Sequence, residues 1–236
     1  MRSCLLAAAV LSLSAVGAEP CPSLTRVGEV EVFQLGDALA WESGLMIDAD
    51  GAPNAYHPTG EGLDALANAG KPGNWWGVVT DDGTAKGTPV VQGAGDPFPG
   101  FYVSATSLED PAFARTDPRR YVASTKVPYV VLPPQLLKHA RLGDFAMVEH
   151  DGKRVFALVA DTGPKDKLGE GSIALAQALG VPSSPRRGGA SSGVRYVVFA
   201  KSGNRRPRPV EELEREGQRL LDAAGPPALQ RCFGRK

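Results

Sequence analysis

The chain has 236 residues, 42% of them hydrophobic and 22% charged, which is enough apolar material for an ordinary globular core. Lysine plus arginine and aspartate plus glutamate both number 26, a balance that argues against a dedicated nucleic-acid binder. No apolar run reaches the ~18 residues a membrane helix needs, which excludes an integral helical membrane protein. The 28 glycines and 20 prolines call for many turns and short elements rather than a helical bundle.

Met1-Arg2 is a positive start, Cys4 to Val16 is apolar, and Val16-Gly17-Ala18 offers small residues for cleavage. That is the pattern of a secretory signal peptide cut after Ala18, so a secreted protein is expected. Its removal leaves two cysteines, Cys21 and Cys232, near the two ends of the mature chain. An oxidising compartment permits a bridge between them, and domain termini often lie close together. Nothing in the sequence fixes their separation, so bridged and free forms both stay open. Neither has a His or Cys neighbour at zinc-ligand spacing, and no metal or other cofactor is expected.

The next stretch rich in acids and aromatics is Met46 to Pro58. Its Asp48-Ala49-Asp50-Gly51 resembles part of a calcium loop but lacks the closing glutamate, so a turn with exposed acids is the simpler reading. A short helix over Leu63–Ala69 should stop at Gly70. Strands are expected at Trp75–Thr80, Pro89–Gln92, Phe101–Ser107 and Tyr129–Leu132. Trp75 and Trp76 are adjacent on the first, so they point to opposite faces and at most one can face a groove. The clearest hairpin pairs Asp144–His150 with Arg154–Ala160 across Asp151-Gly152, favoured chemistry for a two-residue turn. Its second strand is apolar on both faces and should be central.

Asp161 ends that strand, where desolvation should raise its proton affinity. Glu170 lies between two glycines at an expected helix N-terminus, a setting that favours an ionised carboxylate. Carboxyls in differently polar settings can divide acid and base roles. Ser172 caps a helix over Ile173–Leu179 that stops at Gly180. Another strand follows at Val194–Ala200. Arg205-Arg206-Pro207-Arg208-Pro209 reads as a linker to a helical tail, Pro209 to about Ala224, whose apolar stripe is Leu213, Leu220 and Leu221. The sparse stripe suggests a tail that docks loosely or floats. Residues 205–236 hold eight basic and five acidic residues, leaving 17 basic and 21 acidic for residues 3–204, a net of −4. That charge suits a cationic ligand, and equally a soluble surface.

The class is therefore mainly β, a barrel with a few short helices. The organisation is a signal peptide at 1–18, one domain at 19–204, and a basic linker with a helical tail at 205–236.

Several runs resemble the fungal-type chitosanases of glycoside hydrolase family 75. They are Asp48 to Pro58, Leu66 to Gly77, Pro99 to Ser104, Ala160-Asp161-Thr162-Gly163-Pro164 with Gly169 to Ala176, and Val194 to Phe199. The resemblance spans roughly Met46 to Gly203, in order. It implies endo-cleavage of β-1,4 bonds in chitosan with inversion, with Asp161 and Glu170 as the essential acid pair, and a core similar to double-psi β-barrel hydrolases. Burial at the strand end favours Asp161 as acid and Glu170 as base, with the reverse open. Substrate ammonium groups need anionic subsites, for which Asp48, Asp50 and Asp64 are candidates; Tyr56 or Trp76 would stack a sugar face, and Asn54 and His57 belong to the same motif. The expected partner is chitosan or a related amino-sugar polysaccharide, met by a monomer. Two rivals are a lytic enzyme of another wall glycan such as peptidoglycan, and a non-catalytic carbohydrate-binding protein on the same fold.

Overall fold

The computed structural model describes residues 21–233; the expected signal peptide at 1–18 lies outside them. Strands β1 (Ser23–Val27), β2 (Val30–Leu35) and β3 (Ala38–Asp48) form an antiparallel meander. β3 then passes to β10 (Ala190–Phe199), β7 (Phe145–His150), β8 (Lys153–Thr162), β6 (Tyr129–Leu132) and β9 (Glu170–Ser172). Because β9 also pairs with β3, these six strands close into a barrel, with β1 and β2 added outside. Two pairings, β3 with β9 and β6 with β8, are parallel, and the others in the ring are antiparallel. A two-residue ribbon, β4 (Gly70–Lys71) with β5 (Asn74–Trp75), stands apart.

Closure explains why β8 is apolar on both faces. Ala157 and Val159 join one core with Leu39, Trp41, Val130, Val148 and Val198. Phe156, Leu158 and Ala160 join a second core with Phe145, Met147 and Val197. The second core is capped by helix α2 (Val210–Ala224), so it is the outer face and the first fills the barrel.

The tail does not float. Leu213 and Leu221 of α2, and Leu229 of α3 (Pro226–Gln230), are each 2% exposed. Leu220 packs at the margin of the same core. Gly217 faces the Phe156 ring so closely that a Cβ would collide with it, which is how the helix reaches the barrel. The two turns' worth of leucine looked too sparse for docking because the strand face, not the helix, supplies most of the apolar surface. Cys21 and Cys232 are joined in a disulfide, Cα–Cα 5.0 Å, that ties the helical tail to the first strand region.

Helix α1 (Ile173–Leu179) starts at Ser172, whose hydroxyl accepts the Leu175 amide at 3.0 Å, and ends on Gly180 in the left-handed region. Between β5 and β6 the chain is mostly irregular. The strands expected at Trp75–Thr80, Pro89–Gln92 and Phe101–Ser107 are reduced to single bridges, Val78 to Ser104, Thr80 to Pro89 and Val91 to Tyr102. Pro89, Pro97, Pro99 and the glycines among them interrupt the ladder before it can extend. The helix expected over Leu63–Ala69 is a single 3₁₀ turn, Leu66–Asn68.

Candidate active site

Val131 in β6 is the register partner of both Asp161 on β8 and Glu170 on β9. Residues paired across a sheet present their side chains to the same face, so the two carboxyls flank Val131 on one surface, two strand spacings or about 9–10 Å apart at the backbone. A one-residue shift between Val130 and Val131 makes this possible: Val130 pairs with Val159, and Val131 then pairs with Asp161. The bulge re-aims Asp161, a common device beside functional sites. Gly163 leaves room next to this pair, since a Cβ there would lie 3.3 Å from Glu170 Oε2 and press on Val131.

The carboxyls open into a cleft of about 740 Å³ lined by Asp48, Asp50, Tyr56, Asp64, Trp76, Asp161 and Glu170, among others. Trp75 belongs to the barrel core, whereas Trp76 is 60% exposed and its indole N–H donates to the Asn68 carbonyl at 2.7 Å. The flat ring is thereby held at the cleft wall. Asn54 and His57 do not line the cleft. His57 instead sits against Thr59 at 2.7 Å and edge-on to Phe101. Their motif neighbours Asp50 and Tyr56 do line it.

Asp48 ends β3 beside Ser172 of β9, and Asp50 follows in a tight turn. The Asp50 amide donates to Asp48 Oδ1 at 2.8 Å, and the Tyr56 hydroxyl donates to Asp50 Oδ1 at 2.6 Å. Gly51 has φ +74 and an amide bound to Ser104 Oγ at 3.0 Å; any Cβ would strike the Val122 carbonyl. The expected turn with exposed acids is thus a turn with inward acids: Asp48 is 9% exposed. Oxygens of Asp48, Asp50 and Asp161 lie within 4.8 Å of one another, a spacing that could hold a cation, although internal hydrogen bonds use part of it. Asp64 lies at the other wall with its carboxylate accepting from the Ala65 amide and the Asn68 side chain at 2.7 and 2.8 Å.

Burial raises the proton affinity of every acid at the cleft floor. Asp48 and Asp50 are both held well above the usual carboxylate range, first by desolvation and then by neighbouring carboxylates. Asp161 is pushed up to about 6 by desolvation, opposed by its hydrogen bonds with Ser107 and Thr162. Three donors converge on Asp161 Oδ1: Ser107 N at 2.9 Å, Ser107 Oγ at 2.6 Å and Thr162 N at 2.7 Å. Glu170 is pushed up to about 7 by desolvation and then by Asp161, with Lys167 opposing. The expectation that a helix N-terminus keeps Glu170 ionised is overturned. Glu170 lies in a strand, Ser172 takes the capping position, and burial governs its proton.

Ser107, Lys167, Arg186 and Arg187 complete the surroundings and carried no sequence signal beyond the Arg186-Arg187-Gly188-Gly189 run. Arg186 staples two walls together: Nη2 donates to the carbonyls of Gly60, Gly62 and Asp64 at 2.7, 3.0 and 2.9 Å, and Nε to Leu63 at 3.3 Å. Among the described residues no helix is long and apolar enough to cross a membrane.

No curated protein matches the chain. Residues 104–218, a segment that holds Ser107, Asp161, Glu170 and the Arg186-Arg187 pair and reaches into α2, match a family model. That family is described as fungal chitosanase of glycosyl hydrolase group 75, and the match supports the family named above from the sequence motifs and, with it, a glycoside hydrolase.

Proposed function

We propose that the protein is a secreted endo-acting chitosanase that hydrolyses β-1,4 bonds with inversion, Glu170 serving as general acid and Asp161 as general base. The observation that carries this reading is the placement of both carboxyls on either side of Val131, facing one cleft. Inversion needs the two carboxyls about 6.5–9.5 Å apart, so that water fits between the base and the sugar. Two strand spacings support that separation.

The assignment of roles rests on how each proton is held. Burial and the Asp161 carboxylate both hold the proton on Glu170, which suits the group that protonates the leaving oxygen. Three donors on one Asp161 oxygen oppose the desolvation there and favour its ionised form. Its other oxygen is left to draw a proton from water while that water attacks the anomeric carbon. The glycosidic bond breaks as Glu170 delivers its proton, and the acid pair is reset by exchange with solvent. This order reverses the preference drawn from burial alone. Asp48, Asp50 and Asp64 offer negative charge to substrate ammonium groups, and exposed Trp76 offers a face on which a sugar ring stacks.

Reducing-sugar release from chitosan, chitin, cellulose and peptidoglycan tests the reading. Chitosan should be the preferred substrate. Preference for peptidoglycan would make the protein a wall-lytic hydrolase, and binding without turnover at any pH would make it a carbohydrate-binding protein.

A further inference from the structure

The cleft wall built by residues 60–77 has little regular structure: one 3₁₀ turn, Leu66–Asn68, and the two-residue ribbon of β4 and β5. Two groups offered to substrate lie on it, Asp64 and Trp76. Such a wall holds its side chains only as firmly as their own hydrogen bonds do. For both groups those bonds run to one residue, Asn68, which lines the same cleft.

Asn68 is the last residue of the 3₁₀ turn. The Ala69 amide turns back to the Leu66 and Ala67 carbonyls, which leaves the Asn68 carbonyl to accept the Trp76 indole N–H at 2.7 Å. The Asn68 side-chain amide donates to both oxygens of Asp64, at 3.0 and 2.8 Å, and so fixes the plane of that carboxylate. Arg186 ties down the start of the same segment through the carbonyls of Gly60, Gly62, Leu63 and Asp64. Asp64 is 5% exposed and has no ion-pair partner among the described residues. A buried carboxylate without a cation is costly. Its Oδ1 accepts from the Ala65 amide as well as from Asn68, whereas Oδ2 has the Asn68 amide alone and keeps capacity for one more donor. The Asp64 charge also opposes ionisation of Glu170, which puts it near the point of cleavage.

We propose that Asn68 is a positioning residue that sets specificity: it holds Asp64 and Trp76 as one clamp for a single glucosamine unit, with the sugar face on the indole and the ammonium against Asp64. The proposal rests on the hydrolase reading above and names the subsite that tells an amine from an acetamide. N-acetylation removes the cation that Asp64 lacks and leaves a buried carboxylate unpaired, a loss that binding sites built for a polar partner discriminate strongly. Stacking on Trp76 is blind to that change.

The test uses two polymers of one chain length, fully deacetylated chitosan and chitosan with half of its amines N-acetylated, and reads kcat and KM separately. Asn68→Ala keeps the backbone carbonyl but loses the grip on Asp64. It should raise KM on the deacetylated polymer roughly tenfold, the value of a hydrogen bond to a charged group, raise it less on the acetylated one, and change kcat little. Asp64→Asn should do the same, and adding Asn68→Ala to it should cost little more, because the two act as a unit. Trp76 is 60% exposed, so Trp76→Phe tests the other half of the clamp however Asn68→Ala folds. Unable to donate to Asn68, it should raise KM by about threefold on both polymers alike. Equal KM shifts on the two polymers in Asn68→Ala, additive losses in the double variant, or an unchanged KM in Trp76→Phe overturns the proposal. If the wild type cleaves neither polymer, the hydrolase reading falls instead. Calorimetric binding of the same polymers then decides the clamp: a preference for the deacetylated form that is lost in Asn68→Ala upholds it, and equal binding or a preference that survives overturns it.

Discussion

Ser107 and Asp161, 54 positions apart, meet through two hydrogen bonds to a single carboxylate oxygen, one from the Ser107 amide at 2.9 Å and one from its hydroxyl at 2.6 Å. The contact fixes the rotamer of Asp161 and spends one oxygen, so that the other is the one free to act. It also opposes the desolvation that raises the carboxyl. On the proposed mechanism Ser107 is therefore a positioning residue. Ser107→Ala should raise the acidic limb of the kcat/KM profile toward neutrality and lower kcat roughly tenfold, with KM little changed. Ser107→Thr, which keeps the hydroxyl, should restore the limb; a profile that does not move in Ser107→Ala would reduce the contact to packing.

Asp161→Asn and Glu170→Gln should each cut turnover by at least about a hundredfold, the low end for a general acid or base. Neither side chain is part of a hydrophobic contact that the barrel needs, so thermal melts should stay close to wild type. Near-full turnover in a folded variant would remove that residue from the mechanism.

The pH dependence follows from the two held protons. The base must be ionised, which requires a pH above about 6, and the acid protonated, which requires a pH below about 7. The kcat/KM profile should be a narrow bell with its top between these values. A plateau extending well above pH 8 would contradict Glu170 as the acid.

Asp48 binds its proton more tightly in the fold than in the unfolded chain, because burial and the carboxylates of Asp161 and Glu170 oppose its charge. Its contribution to stability is therefore full below the ordinary carboxylate pKa and lost as pH rises through the raised folded value. Asp48→Asn removes that liability while keeping an oxygen for the Asp50 amide. Its Tm should exceed wild type by a few degrees at pH 8 and match it at pH 4, as read by calorimetry, with activity reduced. Equal Tm differences at both pH values would show that Asp48 carries no such charge penalty.

The docked tail makes a sharp stability prediction. Leu213→Ala and Leu221→Ala each empty a buried position against the barrel and should cost about 2–4 kcal/mol in chemical denaturation. Cys232→Ser opens a loop that spans 211 positions and should cost about 2–5 kcal/mol. Truncation after Asn204 should give a protein that no longer melts cooperatively, since the outer core loses its cover. A truncant with wild-type Tm would return the tail to a loosely attached segment.

Elements written in local chemistry were legible in the sequence. Tyr129–Leu132, the hairpin across Asp151-Gly152, and the helix from Ser172 to Gly180 each carry their own caps, turns and apolar pattern. β3 was not legible: Ala38 to Asp48 has no alternation, and Gly44 interrupts it so that the Ala190 carbonyl can approach. The proposed acid pair could be named, but its electrostatics were misjudged for Glu170, because whether a carboxyl precedes a helix or lies in a strand beside it depends on the β3–β9 pairing. Ser107 and Arg186 were invisible for the same reason. A serine that donates to a carboxylate and an arginine that binds four carbonyls have no signature until the fold brings together residues 54 or more than 120 positions apart.

The covalent link between Cys21 and Cys232 changes what a single proteolytic cut can do. The longest irregular stretch, between β5 and β6, is the region most open to nicking. A cut there leaves two fragments still tethered through their far ends and still sharing the barrel strands, β3 from one piece and β6 to β10 from the other. The fragments therefore stay at high effective concentration for each other. Release needs a second cut or a reductant, so the molecule tolerates one nick among proteases and is retired by reduction.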